Sequence, residues 1–117
     1  MLGIDIEALN DSYSSEEPTR SQLGVLAGPA LIEFGNAWCG HCQRAQPLIV
    51  DAMVGHAEVR HFKIADGPGC PLGRSFKVKL WPTLIFRDAG AEVARLVRPT
   101  KSNEITQALL KMDPVRS

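Results

Sequence analysis

Long apolar runs, a surplus of one charge, repeats and a crowd of cysteines are all missing from this chain, and each absence removes a class of protein. The longest apolar stretch, GVLAGPALI at 24–32, is interrupted by Gly28 and Pro29 and falls far short of the roughly 20 residues that cross a bilayer. Thirteen Lys and Arg offset thirteen Asp and Glu, so no long-range field of one sign gathers nucleic acid or an anionic membrane surface. The first residues, MLGIDIEALND, carry acid where a secretory signal starts basic. Cysteine is scarce: three residues, an odd count, in a chain of 117 residues that is 44% apolar and needs no disulfide staples. The expectation is one soluble, monomeric, cytoplasmic domain over 1–117, with 1–20 a loosely ordered leading segment, and with no nucleic-acid or membrane partner.

What is there is an alternation of periods. SQLGVLAG, 21–28, suits a short helix with Leu23, Leu26 and Ala27 on one side, and ALIEF, 30–34, a strand covered on both faces. From Cys42 the apolar residues Ala45, Leu48, Ile49, Ala52 and Met53 recur at helical spacing up to Gly55, with Pro47 inside, where a kink is expected. VRHFKIA, 59–65, reads as a second strand, and DGPGCPLG as a loop leading into at most a short helix. TLIFRD and AEVARLVR, separated by Ala89 and Gly90, predict a hairpin. A closing helix is predicted from Ser102 as N-cap, with Glu104 in its first turn and Ile105, Ala108, Leu109 and Met112 on one side. With GIDIEAL as a further candidate strand, the order predicts an α/β domain: a mixed sheet of four or five strands flanked by helices.

The chemistry concentrates in NAWCGHCQRAQP, 36–47. Cys39 falls at a strand-to-helix junction, where unpaired helix amides favour a thiolate. His41, if protonated, would add a nearby positive charge. Cys42 follows one helical turn later, close enough to attack a mixed disulfide formed by Cys39. Two other readings of the pair stay open at this point: inert buried cysteines, and metal ligation by Cys39, Cys42, Cys70 and one of His41, His56 or His61, though no second paired knuckle is present. Glu33 sits in the middle of ALIEF; buried, its pKa would rise and it could exchange protons near neutrality, while on an edge strand it would simply face water. Pro82 in LWPTLIF opens a strand, which proline tolerates without further meaning. Cys70 is either a regulatory thiol or incidental, and His56 and His61 read as ordinary surface or strand residues.

Taken together, WCGHC behind LIEF, a proline five residues after the second cysteine, WPTLIF before a hairpin and an amphipathic last helix resemble the thioredoxin superfamily over residues 22–112. The resemblance implies the thioredoxin fold and a dithiol–disulfide oxidoreductase. It implies Cys39 as the attacking cysteine, Cys42 as the resolving one, and Glu33 as the buried acid that exchanges a proton with Cys42. Trp38, Gly40, His41, Trp81 and Pro82 would form the substrate face, with Pro82 in cis and the Trp81 backbone pairing with a substrate strand. It implies no bound cofactor and no metal; the partners would be protein disulfides and a separate reductase or small-thiol electron donor. The CGHC variant is that of protein disulfide isomerases, and a cation beside Cys39 places the expected potential between about −270 and −180 mV. Gly35 stands where thioredoxins carry a bulky aromatic, so looser packing is expected below the pair; Trp81 and Arg98 add bulk and charge to the groove. Those two departures favour the alternative, a non-catalytic binding or chaperone module on the same fold.

Overall fold

The computed structural model describes residues 13–113. Their elements run α1 (Arg20–Gly24), β1 (Pro29–Gly35), α2 (Gly40–Met53), β2 (Arg60–Ala65), α3 (Pro71–Ser75), β3 (Thr83–Asp88), β4 (Ala91–Val97) and α4 (Ser102–Leu110). The four strands form one mixed sheet in the order β2-β1-β3-β4, with β1 parallel to β2 and antiparallel to β3, and β3 antiparallel to β4. The candidate strand GIDIEAL lies outside the described residues. The leading segment, expected to be loose, is tied down from Ser14 onward: the Ser14 amide donates to the Lys63 carbonyl at 2.8 Å, and the Ala65 amide to the Ser14 carbonyl at 2.9 Å.

Alternation along β1 sorts the two cores. Leu31 packs with Leu84, Phe86, Ala45, Ile49, Ile105 and Leu109 between the sheet and the α2 and α4 helices. Its neighbours Ile32 and Phe34 point the other way, to Leu23, Ile64, Leu72, Phe76 and Ile85 under α1 and α3. A period of two therefore aims Glu33, like Leu31, at α2. Each fully buried Leu, Ile or Phe here contributes about 1.5–3 kcal/mol relative to exposure.

Two turns explain local sequence choices. Ala89 and Gly90 both take positive φ (53° and 85°), the twist that a two-residue hairpin needs. A Cβ on Gly90 would sit 2.4 Å from the Gly24 carbonyl oxygen, so the hairpin also packs backbone against α1 there. At α4 the N-cap is Lys101, not Ser102 as the sequence suggested. Glu104 supplies the cap instead, its Oε1 accepting from the Thr100 and Lys101 amides at 2.8 and 3.1 Å, which frees Ser102 to donate to the Leu48 carbonyl at 3.2 Å.

Candidate active site

Cys39 is the N-cap of α2 and its sulfur accepts from the Cys42 amide at 3.4 Å. Burial by itself would raise its pKa, but hydrogen bonds from the Cys42 thiol and amide and from the His41 amide, together with the positive charge of Arg98, hold it below the ordinary thiol value. Cys42 lies one turn along on the buried face, 1% exposed. Desolvation, with the Cys39 sulfur beside it, pushes its pKa up to about 11 despite an Asn36 amide that opposes the rise. One sulfur is thus poised as thiolate and the other as thiol.

The cation beside Cys39 is Arg98, not His41. His41 is exposed, and desolvation with the neighbouring Arg98 and Arg44 charges lowers its pKa, so the imidazole is neutral at pH 7; Arg44 contacts its Nδ1 at 3.0 Å. Gly40 opens α2 and Trp38, 72% exposed, precedes the pair. Trp38 meets Trp81 edge-on, ring centres 5.6 Å apart, and the Trp81 indole donates to Asp66 at 2.9 Å. The Trp81–Pro82 bond is cis. Arg98, at φ 52°, donates through Nε to the Trp81 carbonyl at 2.8 Å, so the acceptor expected to pair with a substrate strand already has an internal partner.

Glu33 is fully buried, which removes the edge-strand reading, yet its pKa is lowered where burial led us to expect a rise. Desolvation does push it up, but donors outweigh that: the His61 imidazole at 2.9 Å on Oε1, the Tyr13 hydroxyl on Oε2, and the Gln46 amide at 2.8 Å on Oε2. Gln46 is fixed in turn, donating also to the Tyr13 oxygen at 3.1 Å and accepting from Lys63 at 2.7 Å. The expected looseness below Gly35 is also corrected. A Cβ on Gly35 would fall 2.6 Å from the Cys42 sulfur and 3.0 Å from the Tyr13 oxygen, because the Tyr13 side chain packs there.

Sequence reasoning missed Tyr13 and His61. Tyr13 comes from a polar stretch that carries no periodic signal, but His61 was readable: RHFKIA alternates, and the parallel register puts His61 opposite Leu31 and Lys63 opposite Glu33. The rival metal ligands are dispersed. His56, buried instead of on the surface, binds Asp113 at 2.8 Å; His61 binds Glu33; Cys70 stands at the N-cap position of α3 without a side-chain cap bond, near the Glu17 and Asp66 charges. Among the described residues no three His, Cys, Asp or Glu side chains gather as a metal site, and no helix is long and apolar enough to cross a membrane.

Residues 15–111 match the family model described as Thioredoxin. The chain belongs to the thioredoxin family. A solved structure of thioredoxin 2 from Pseudomonas aeruginosa, in its reduced form, is 53% identical, covers 86% of this chain and 93% of that one, and superposes with a TM-score of 0.77. Two rice proteins, Thioredoxin H2-2 and Thioredoxin H2-1, are 32% and 27% identical over 71 residues, 61% of this chain; the chain spans about half of their length, 53% and 51%. The thioredoxin fold inferred from sequence is the fold observed.

Proposed function

We propose that this family member is a thiol–disulfide oxidoreductase acting on protein disulfides. One observation carries the reading: the two cysteines share a helical turn, yet the N-cap position lowers the pKa of Cys39 while burial raises that of Cys42. The Cys39 thiolate attacks a substrate disulfide, forming a mixed disulfide and expelling one substrate thiolate. Cys42 then loses its proton and attacks the Cys39 sulfur, which closes the Cys39–Cys42 disulfide and releases the second substrate thiolate. Glu33, on the α2 side of β1 and joined to α2 through Gln46, is the proton acceptor for Cys42. Trp38, Gly40, His41, Trp81 and Pro82 are the substrate face in this reading, supported by the edge-on contact of Trp38 with Trp81 and the cis Trp81–Pro82 bond. A separate reductase or a small thiol returns the electrons, in a cytoplasmic setting, and no cofactor is needed.

Insulin disulfide reduction tests it. Cys39→Ser is expected to abolish turnover and Cys42→Ser to accumulate mixed disulfides with substrate; full activity in Cys39→Ser would overturn the assignment. The hydrogen bond from Arg98 to the Trp81 carbonyl favours a second reading, a binding module whose groove does not turn substrates over. That reading requires a stable partner retained after both cysteines are replaced.

A further inference from the structure

The buried groups around Cys42 contain one hydroxyl that the mechanism above does not use. Tyr13 stands before α1, and its side chain fills the space that Gly35 leaves by having no Cβ. The Tyr13 oxygen and the Cys42 sulfur border the same space, 3.0 and 2.6 Å from where a Gly35 Cβ would stand, and the Tyr13 hydroxyl donates to Glu33 Oε2. The Gln46 amide holds the same oxygen at 3.1 Å, and Lys63 lies 4.8 Å from the ring centre. Thiol, phenol and carboxylate thus follow one another from the resolving sulfur into the sheet, the last two joined by a hydrogen bond.

Resting on the oxidoreductase reading, we propose that Tyr13 is a catalytic residue of the resolving step, relaying the Cys42 proton to Glu33. As the Cys42 sulfur attacks Cys39 in the mixed disulfide, the Cys39–Cys42 bond forms and the Cys39–substrate bond breaks, its electron pair leaving on the substrate thiolate. The Cys42 proton passes to the Tyr13 oxygen while the Tyr13 proton passes to Glu33 Oε2. Reduction of the Cys39–Cys42 disulfide runs the same line backwards and restores the Cys42 thiol. Burial and the Glu33 charge raise the Tyr13 pKa, so the phenol never rests as phenolate and acts only by exchanging one proton for another. His61, bonded to Glu33 Oε1 and 24% exposed, is a positioning residue that keeps the carboxylate ionised and ready to accept. The groups facing this line are Tyr13 from the leading segment, Cys42 and Gln46 from α2, Glu33 from β1, and His61 and Lys63 from β2. A competing carrier exists: a cavity of about 280 Å³ lined by Tyr13, Asn36, Ala37, Cys42, Gln43 and Gln46 is wide enough for water.

An aromatic disulfide whose leaving thiolate is coloured separates the two steps in one stopped-flow trace: Cys39 attack releases the first thiolate and Cys42 attack the second. Tyr13→Phe keeps the ring against Gly35 and removes only the hydroxyl. It is expected to leave the first phase within about twofold of the parent and to slow the second by about ten- to a hundredfold at neutral pH, up to the lower bound of about a hundredfold for positioned proton transfer, since water can replace part of the relay. The slowing should fade as the pH approaches 11, where Cys42 ionises unaided. Glu33→Gln should show the same pH-dependent slowing, and the double variant little more than either alone. A second phase unchanged in Tyr13→Phe would give the proton to water in the cavity and overturn the relay, and equal slowing at every pH would reduce Tyr13 to a packing residue. Absence of the first phase in the parent protein would refute the oxidoreductase reading itself.

Discussion

The division of ionisation between the sulfurs predicts which one an alkylating reagent finds. Raising Cys42 from the ordinary 9.0 to about 11 cuts its thiolate population at pH 7 about a hundredfold. A more basic thiolate is intrinsically more nucleophilic, with a Brønsted coefficient of about 0.4–0.5, which returns roughly six- to tenfold. The net effect is a Cys42 about tenfold less reactive than an ordinary cysteine before its burial slows it further. Cys39, held below the ordinary value, lies on the other side of that reference. Iodoacetamide at pH 7, limited to one modification per molecule and mapped by peptide mass spectrometry, should therefore label Cys39 over Cys42 by at least about tenfold. An unstructured cysteine peptide in the same tube supplies the reference. The preference must narrow as pH rises from 9 towards 11, because stabilisation of the Cys42 thiol is complete below its unfolded pKa and is lost as pH passes its folded one. Equal labelling at pH 7, or a preference that does not change with pH, would refute the argument that the helix N-cap and burial divide the pair.

Three further outcomes follow from contacts elsewhere. Gly35→Ala drives a methyl to 2.6 Å from the Cys42 sulfur and should cost about 1–3 kcal/mol, read as a Tm lower by roughly 4–12 °C, with the resolving step slowed more than Cys39 alkylation. Arg98→Gly suits the positive φ at that position while removing the cation that stabilises the Cys39 thiolate; reduced protein loses that stabilisation, so the potential in a glutathione titration should fall by about 5–20 mV, the equivalent of about 0.2–1 kcal/mol. His56→Ala removes a buried imidazole bonded to Asp113 and should lower stability to urea by about 1–3 kcal/mol, leaving Cys39 reactivity unchanged.

The elements were legible because their periods differ. Ala45, Ile49 and Ala52 repeat at helical spacing and are all buried, while ALIEF and TLIFR are mostly apolar strands whose residues are buried on both faces. The ionisable parts of the site were less legible, since charge and proton affinity depend on neighbours far along the chain. Glu33 was placed correctly inside the sheet, but the sign of its shift depends on His61 and Gln46, 28 and 13 positions away, and on Tyr13, 20 positions away. The charge assigned to His41 belongs to Arg98, which reaches the site because a left-handed backbone turns the chain there after β4. Ser102 was the better N-cap by residue type and was displaced by Glu104, whose carboxylate accepts two amides at once.

The exchange between positions 35 and 13 changes how the site is read. A bulky aromatic at 35 would be rooted in β1 and could only fill space. With glycine there, an aromatic arrives from a segment pinned to β2 at Ser14, and it brings a hydroxyl that donates to the Glu33 carboxylate and shares the space over Gly35 with the Cys42 sulfur. Packing and proton conduction are then met by one side chain, and both depend on the backbone bonds that hold Ser14 against Lys63 and Ala65. Weakening that anchor should loosen the floor under Cys42, while the Cys42 and His41 amides at the N-terminus of α2 and the Arg98 charge continue to favour the Cys39 thiolate. The Cys42 thiol also donates to Cys39, so a change made under the resolving sulfur, through residues that never touch Cys39, still reaches the attacking thiolate.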